Sequence, residues 1–223
     1  MTTILISPSS DIAEANHRIA NSLTLLVSLV RMQANAIGKR AQPLTSAEAR
    51  LALEAVAARI GTISQLHRLL SHSPSDGTTN LKPHLREVAD TLVAALSSAE
   101  RPITVKHSGA DCLVLVRHVQ PIILILCEIF INAMKYAHPA QLPLTMMVDC
   151  APAADGRLVL MIGDDGVGLP EGFDPHKSQG LGLRVIRSLA AEIGATLDIR
   201  SSGLGLMFRL SMPAGAAVNA KLA

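Results

Sequence analysis

The segment CEIFINAMKYA, Cys127 to Ala137, carries three polar residues in an otherwise apolar run: Glu128, Asn132 and Lys135, spaced four and three apart. On a helix of 3.6 residues per turn these fall on one face, stacked over two turns. Alone, they describe an acid and an amine paired at a wet helix edge, with a satisfied core amide between them. Two downstream loops change the reading. Asp164-Asp165-Gly166-Val167-Gly168 follows a predicted strand, and Gly180-Leu181-Gly182-Leu183 opens a predicted helix. Glycines at a helix start expose backbone N–H groups, and the helix dipole favours an anion there. A carboxylate at a strand end can accept hydrogen bonds from the exocyclic amine of a base. An amide oxygen is a suitable hard ligand for Mg2+, which usually keeps waters and bridges phosphate oxygens. Together these residues describe a pocket for ATP with Mg2+.

Several elements must position them. A first helix is predicted from about Ile12 to Ile37, with Ser9, Ser10 or Asp11 as its cap. Its apolar residues form two rows at heptad spacing: Ile12, Ile19 and Leu26, and Leu23, Val30 and Ile37. After Gly38 and QPLTSAE, a second helix runs to about Leu70, capped by Thr45 or Ser46 with Glu48 in its first turn. Leu53, Val56, Ile60, Ile63, His67 and Leu70 make its stripe. Two such helices joined by a short loop form an antiparallel hairpin, and a lone hairpin buries little surface. The expectation is a homodimeric four-helix bundle. Arg18, Arg59 and Arg68 are expected to frame the hairpin surface, and His67 to lie at its interface.

Residues 71–80, SHSPSDGTTN, read as a linker. Beyond it the pattern predicts a helix over Pro83–Leu96, strands near 103–107 and 112–116, and the apolar helix with Pro121 near its first turn. Strands follow at 144–149 and 158–162, then a helix at 183–193 and strands at 196–200 and 206–211. The fold class is therefore α+β: a helical hairpin over residues 1–75, then one sheet backed by helices over 81–213. Residues 214–223 read as a loose tail.

The 223 residues are half apolar yet contain only three Phe, one Tyr and no Trp, so the core is aliphatic. A net charge of +2 gives no nucleic-acid footprint, and few aromatics remain to stack bases. Cys112, Cys127 and Cys150 have neither paired spacing nor a CxxC, and MTTILISPSS lacks the features of a signal peptide. The expectation is a reduced, cytoplasmic setting without a sensory portion. The apolar segment Val119–Met134 reads as too short to span a membrane and as a core helix.

E-x3-N-A-x-K-Y at 128–136, D-D-G-x-G at 164–168 and G-L-G-L at 180–183 resemble the N box and the two glycine boxes of the Bergerat (GHKL) ATP-binding fold, in the version found in bacterial sensor histidine kinases. The resemblance implies that Asn132 holds Mg2+ and that Lys135, followed by Tyr136, lies near the phosphates. It implies that Asp164 contacts the adenine amino group, with Gly166 and Gly168 shaping the base pocket. Gly180 and Gly182, either side of Leu181, would bracket the phosphate-side lid. For Glu128 the readings stay open: positioning water, positioning metal, or polarising the acceptor.

In the first helix, EANHRIANSL places Glu14 three residues before His17 and Asn21 four after, one turn to either side. The pattern E-x2-H-R-x2-N-S-L resembles the phosphoacceptor box of the HisKA-2 branch. That resemblance implies that His17 takes the γ-phosphoryl group of Mg–ATP and that Glu14 fixes the ring tautomer. Asn21 would orient water for dephosphorylation. The partner implied is the receiver domain of a response regulator. Two rivals stand beside it: a histidine phosphotransferase relay with a disused nucleotide pocket, and an anti-sigma-type partner-switch protein using the same ATP fold.

Overall fold

The computed structural model describes residues 8–70, 77–138, 140, 142–178 and 180–214; the side chains of residues 8–19, 21, 25, 67, 69 and 70 lie outside that description. The strand-like N-terminus, most of the linker and the tail beyond residue 214 therefore lie outside the described residues. The chain divides into two compact units, Met1–Pro43 and Leu44–Ala223.

The first unit contains one helix, α1 (Pro8–Gly38). Within it Thr24 Oγ1 donates to the Ala20 carbonyl at 2.8 Å and Ser28 Oγ to the Thr24 carbonyl at 2.9 Å, the way a helical hydroxyl satisfies itself. Leu23, Val27 and Val30, spaced four and three, are exposed along one face.

The second unit opens with α2 (Ser46–Leu70). Thr45 is its cap: the Glu48 amide donates to Thr45 Oγ1 at 3.2 Å, and Glu48 Oε2 accepts from the Thr45 amide at 2.8 Å. This is the reciprocal capping box that the sequence announces. Next come β1 (Thr78–Asn80), α3 (Leu81–Leu96), β2 (Ile103–Gly109), β3 (Leu113–Leu115) and α4 (Val116–Tyr136). The chain continues through β4 (Leu144–Pro152), β5 (Arg157–Asp164), α5 (Leu181–Glu192), β6 (Thr196–Ser202) and β7 (Gly205–Pro213).

Two expectations need correction. The end of the supposed linker is strand β1, paired antiparallel with β3 from Thr78↔Leu115 to Asn80↔Leu113. Linker composition hides it because the pairing is supplied from more than thirty residues away, and Asn80 doubles as the cap of α3, accepting from the Lys82 amide at 3.1 Å. The apolar helix is also longer than its greasiest part. At 21 residues it is long and apolar enough to cross a membrane by composition, yet most of it is buried inside the domain, as expected of a core helix.

The main sheet runs β2-β4-β5-β7-β6; β2 and β4 are parallel and the remaining neighbours antiparallel. Alternate residues on one face are buried: Leu144, Met146, Val148 and Cys150 on β4, Leu158, Leu160 and Ile162 on β5, Phe208, Leu210 and Met212 on β7. α3, α4 and α5 lie side by side and meet the sheet at β2, β4 and β5, and β6. α4 is the middle helix and is buried nearly all round, with every residue from Pro121 to Ile131 inside. The reason is on its remaining side: α2 packs across α3 and α4, so the domain has a further helical layer.

Candidate nucleotide site

Asp164 ends β5 in the centre of the sheet and is buried. Its Oδ1 accepts from the Gly166 amide at 3.0 Å and from the Leu206 amide at 3.4 Å. Burial pushes its carboxyl above the ordinary 3.8, and the two amides only partly offset this. A carboxylate raised by burial at a strand end is an acceptor that gains from a further donor.

The loop after Asp164 is pressed against the end of α4. A Cβ on Gly166 would come within 2.5 Å of the Cα and carbonyl of Ala137, and the Val167 amide donates to the Ala137 carbonyl at 2.8 Å. Gly168 has φ +73° and meets the Ser202 backbone and the Ser201 hydroxyl, so a side chain is excluded by conformation and by space. The amide of Leu169 donates to Ser201 Oγ at 2.7 Å, fastening the loop to the end of β6.

Asn132 sits one turn from the C-terminal end of α4, half-buried. A Cβ built on Gly182 would lie 2.7 Å from its Oδ1 and 2.8 Å from its Nδ2. The amide therefore rests directly on the first turn of α5, where free backbone N–H groups and the helix dipole favour an anion. Gly180 is the cap residue of α5 and Leu181 its first residue. Between the glycine turns, Arg187 of α5 donates from Nη1 to the Pro175 carbonyl at 2.6 Å and from Nη2 to the Ser178 carbonyl at 2.7 Å. It clamps the short lid.

The other members of the polar stripe face elsewhere. Glu128 is buried, and its partner is not Lys135 but Arg59 of α2. Arg59 Nε lies 2.5 Å from Oε1 and Nη2 2.9 Å from Oε2. Arg59 is 2 % exposed and Glu128 1 %. The expectation of a surface arginine is thus corrected: the docking of α2 on α4 removes Arg59 from water, and only the carboxylate makes that tolerable. Burial opposes the charge on Arg59, but Glu128 outweighs it and raises the guanidinium's pKa. Lys135 lines a small crevice with Leu51, Glu54 and Ala55 of α2, and burial, then Arg59, lowers the pKa of its amine against the pull of Glu128. Tyr136 is exposed.

The structure thus brings Asn132 to Gly182, and Asp164 to Gly166, while Glu128 and Lys135 meet α2. His17, Glu14 and Asn21 lie on α1, their side chains outside the described residues. Sequence reasoning missed Arg59, Arg187 and the pair His138–Asp165, in which Nε2 is 3.0 Å from an Oδ1 that also accepts from the Thr145 amide at 2.9 Å. For Asp165 a signal existed, the doubled aspartate; for Arg59 none did.

The residues fit ATP. Any Mg2+ that accompanies the nucleotide needs few protein ligands, because phosphates supply the rest. Asn132, resting on the anion-favouring turn at Gly182, is the side chain that would reach such an ion.

A family model described as "Histidine kinase" (HisKA_2) matches residues 14–96, and one described as "Histidine kinase-, DNA gyrase B-, and HSP90-like ATPase" matches residues 118–216. The chain is 30% identical over 213 residues to the sensor histidine kinase PdtaS of Mycobacterium tuberculosis, a match covering 92% of this chain and 40% of that protein. It is 24% identical over 206 residues to blue-light-activated histidine kinase 2 of Erythrobacter litoralis, covering 91% of this chain and 56% of that one. It thus spans about half or less of these curated relatives. In fold it is similar to the histidine kinase domain of the Erythrobacter litoralis EL346 blue-light activated histidine kinase, with TM-score 0.68 at 22% identity, covering 92% of this chain and 91% of that one. By these matches the chain is a homologue of the sensor histidine kinases, with a HisKA_2 region over residues 14–96 followed by a histidine kinase-, DNA gyrase B- and HSP90-like ATPase domain over residues 118–216.

Proposed function

We propose that the chain is an ATP-dependent protein histidine kinase that phosphorylates its own His17 and passes the phosphoryl group to an aspartate in the receiver domain of a response regulator. The observation that carries the reading is the contact between the Asn132 amide and Gly182, which joins the amide-bearing helix to the phosphate-side glycine turn. Asp164, raised by burial, would accept from the adenine amino group. Mg2+ at Asn132 would supply charge neutralisation for the phosphates.

A neutral ring nitrogen of His17 attacks the γ-phosphorus, the bond to the β–γ bridging oxygen breaks, and ADP leaves. Imidazole is substantially neutral near pH 7, so no large pKa change is required. Glu14 holds the tautomer, and Asn21 orients water in the reverse dephosphorylation. Positioning and charge neutralisation carry the catalysis, as in other phosphoryl transfers.

The division into a phosphoacceptor hairpin over residues 1–75 and a catalytic domain over 81–213 belongs to the same reading, as does a homodimer. The exposed Leu23, Val27 and Val30 of α1, and Leu53 and Ile60 of α2, support the dimer, because apolar helix stripes of this kind are usually covered. Three free buried cysteines accord with a reduced, cytoplasmic setting.

Incubation of the purified chain with γ-labelled ATP and Mg2+ tests the reading. Acid-labile, alkali-stable label that disappears in His17→Ala is the expected result. No label from ATP, with label accepted from a phosphorylated regulator, would favour the relay. Acid-stable phosphoserine on a partner would favour the partner switch.

A further inference from the structure

Glu128 stands on the polar stripe of α4, one turn before Asn132, yet neither of its oxygens is available. The planar fork of Arg59 takes both, at 2.5 and 2.9 Å, in a site almost closed to water. Three further features mark this contact. Arg59 belongs to the stretch that matches the histidine kinase hairpin, whereas Glu128 belongs to the ATPase stretch. Arg59 Nη1 is buried without a hydrogen-bond partner, so the arginine is incompletely satisfied where it sits. Lys135, two turns along the same stripe, lines a small crevice with Leu51, Glu54 and Ala55 of α2.

A buried ion pair contributes little net stability over apolar packing, because desolvation offsets most of its attraction. It holds two elements in one register, and it can let go when another interaction replaces it. We infer that the Arg59–Glu128 pair is a latch: α2 docked on α4 withholds Glu128 and Lys135 from the nucleotide site, and phosphoryl transfer requires α2 to lift. The inference rests on the kinase reading above. It makes Arg59 a positioning residue, acting through Glu128. On opening, Arg59 returns to water with all its donors satisfied, and the stripe of α4 becomes one continuous wall of acid, amide and amine.

Cys127 supplies a reporter of that motion. It lies fully buried under α2, with Thr62 Oγ1 3.8 Å from its sulfur, and burial pushes its thiol pKa up to about 12. It should react with an alkylating reagent only when α2 lifts. The test uses the full-length chain as wild type, Arg59→Lys, which keeps the charge but loses the fork, and Arg59→Gln, which loses both. Three quantities are followed: nucleotide affinity by calorimetry, Cys127 alkylation located by peptide mass, and label taken up from γ-labelled Mg–ATP.

The expected result is a graded series. Cys127 alkylation and the rate of label uptake rise together from wild type through Arg59→Lys to Arg59→Gln, alkylation by about a hundredfold or more at the end, equivalent to ~2.8 kcal/mol or more in the opening equilibrium. Nucleotide affinity should be equal or tighter. If Arg59→Gln proves unfolded by circular dichroism, the Arg59→Lys comparison decides. Faster alkylation with unchanged or slower labelling overturns the latch while leaving the kinase reading intact, and so does unchanged alkylation in both variants. Absence of nucleotide binding in the wild type overturns the kinase reading, and the latch with it.

Discussion

Asp164 and Gly182 give opposite kinds of residue-level prediction. Asp164 is held above its ordinary pKa of 3.8 chiefly by burial. Its acceptor role is intact above that raised value and is lost as pH falls through it, so nucleotide affinity should decline on acidification earlier than an ordinary aspartate allows. Asp164→Asn should weaken ATP binding by ~1.5–3 kcal/mol, the range for hydrogen bonds to a charged group, and remove this pH dependence. Calorimetry across pH checks both. Gly182 is the second residue of α5, where alanine is the better helix former. Gly182→Ala should therefore leave the domain as stable or more so, yet its Cβ would lie 2.7 Å from Asn132 Oδ1 and displace the amide. A thermal melt that holds or rises, with ATP affinity down about tenfold or more, is the expected pair of results. Equal affinity would remove the Asn132–Gly182 contact from the nucleotide site.

Among the elements, α4 depends on what closes its two ends and its outer face. Arg101 donates from its guanidinium to the Met134 carbonyl and, at 3.5 Å, to the Ala133 carbonyl, which also accepts from the Ala137 amide, setting a cation at the last turn where the helix dipole welcomes one. That holds the turn bearing Asn132. On the outer face the Arg59–Glu128 pair is asymmetric: removing one partner leaves a buried charge, costing about 3–5 kcal/mol while α2 stays docked. Glu128→Gln should therefore destabilise the α2–α4 contact, seen as faster amide exchange confined to those helices. Loss of the Thr45 cap, by contrast, should cost only ~1 kcal/mol in Thr45→Ala, because its hydrogen bonds are exposed to water.

At the scale of the whole molecule, three histidines bias stability with pH. Burial lowers the pKa of His84, His107 and His118 below 6.5, and nearby Arg86 and Lys82 add to this at His107, as does Arg117 at His118; Glu87 and Asp90 oppose it at His84 and His107. The unfolded chain then binds protons that the folded chain resists. Their contribution is complete above about 6.5 and is lost as pH falls from there through the depressed folded values. Asp164 works the other way, since a raised carboxyl favours the folded state on acidification. Urea unfolding should show stability falling below pH 6.5, more steeply in Asp164→Asn. Sedimentation at micromolar concentration tests the proposed dimer: a monomer mass would leave the exposed stripes of α1 and α2 without their expected cover.

What the sequence determined by itself were the features written in local spacing. Helical periodicity placed α1 and α2, the Thr45–Glu48 box marked the start of α2, the glycine loop announced α5, and alternating or β-rich stretches marked β4 and β5. The glycine loops marked the places where backbone or amide comes too close for a Cβ, as at Gly166, Gly168 and Gly182, while a base pocket there was implied only by the family resemblance. Tertiary structure alone decided the pairings that join distant segments. β1 exists because β3 lies beside it, and Arg59 is buried because α2 crosses α4 sixty-nine residues away from the carboxylate it meets. A lone arginine on a helix carries no periodic signal of its partner, so the division of the polar stripe between the Gly182 contact of Asn132 and the α2 contact of Glu128 was invisible until the helices were packed. Spacing along one chain fixes which side chains share a face; which neighbour covers that face is settled only by the burial of all the others.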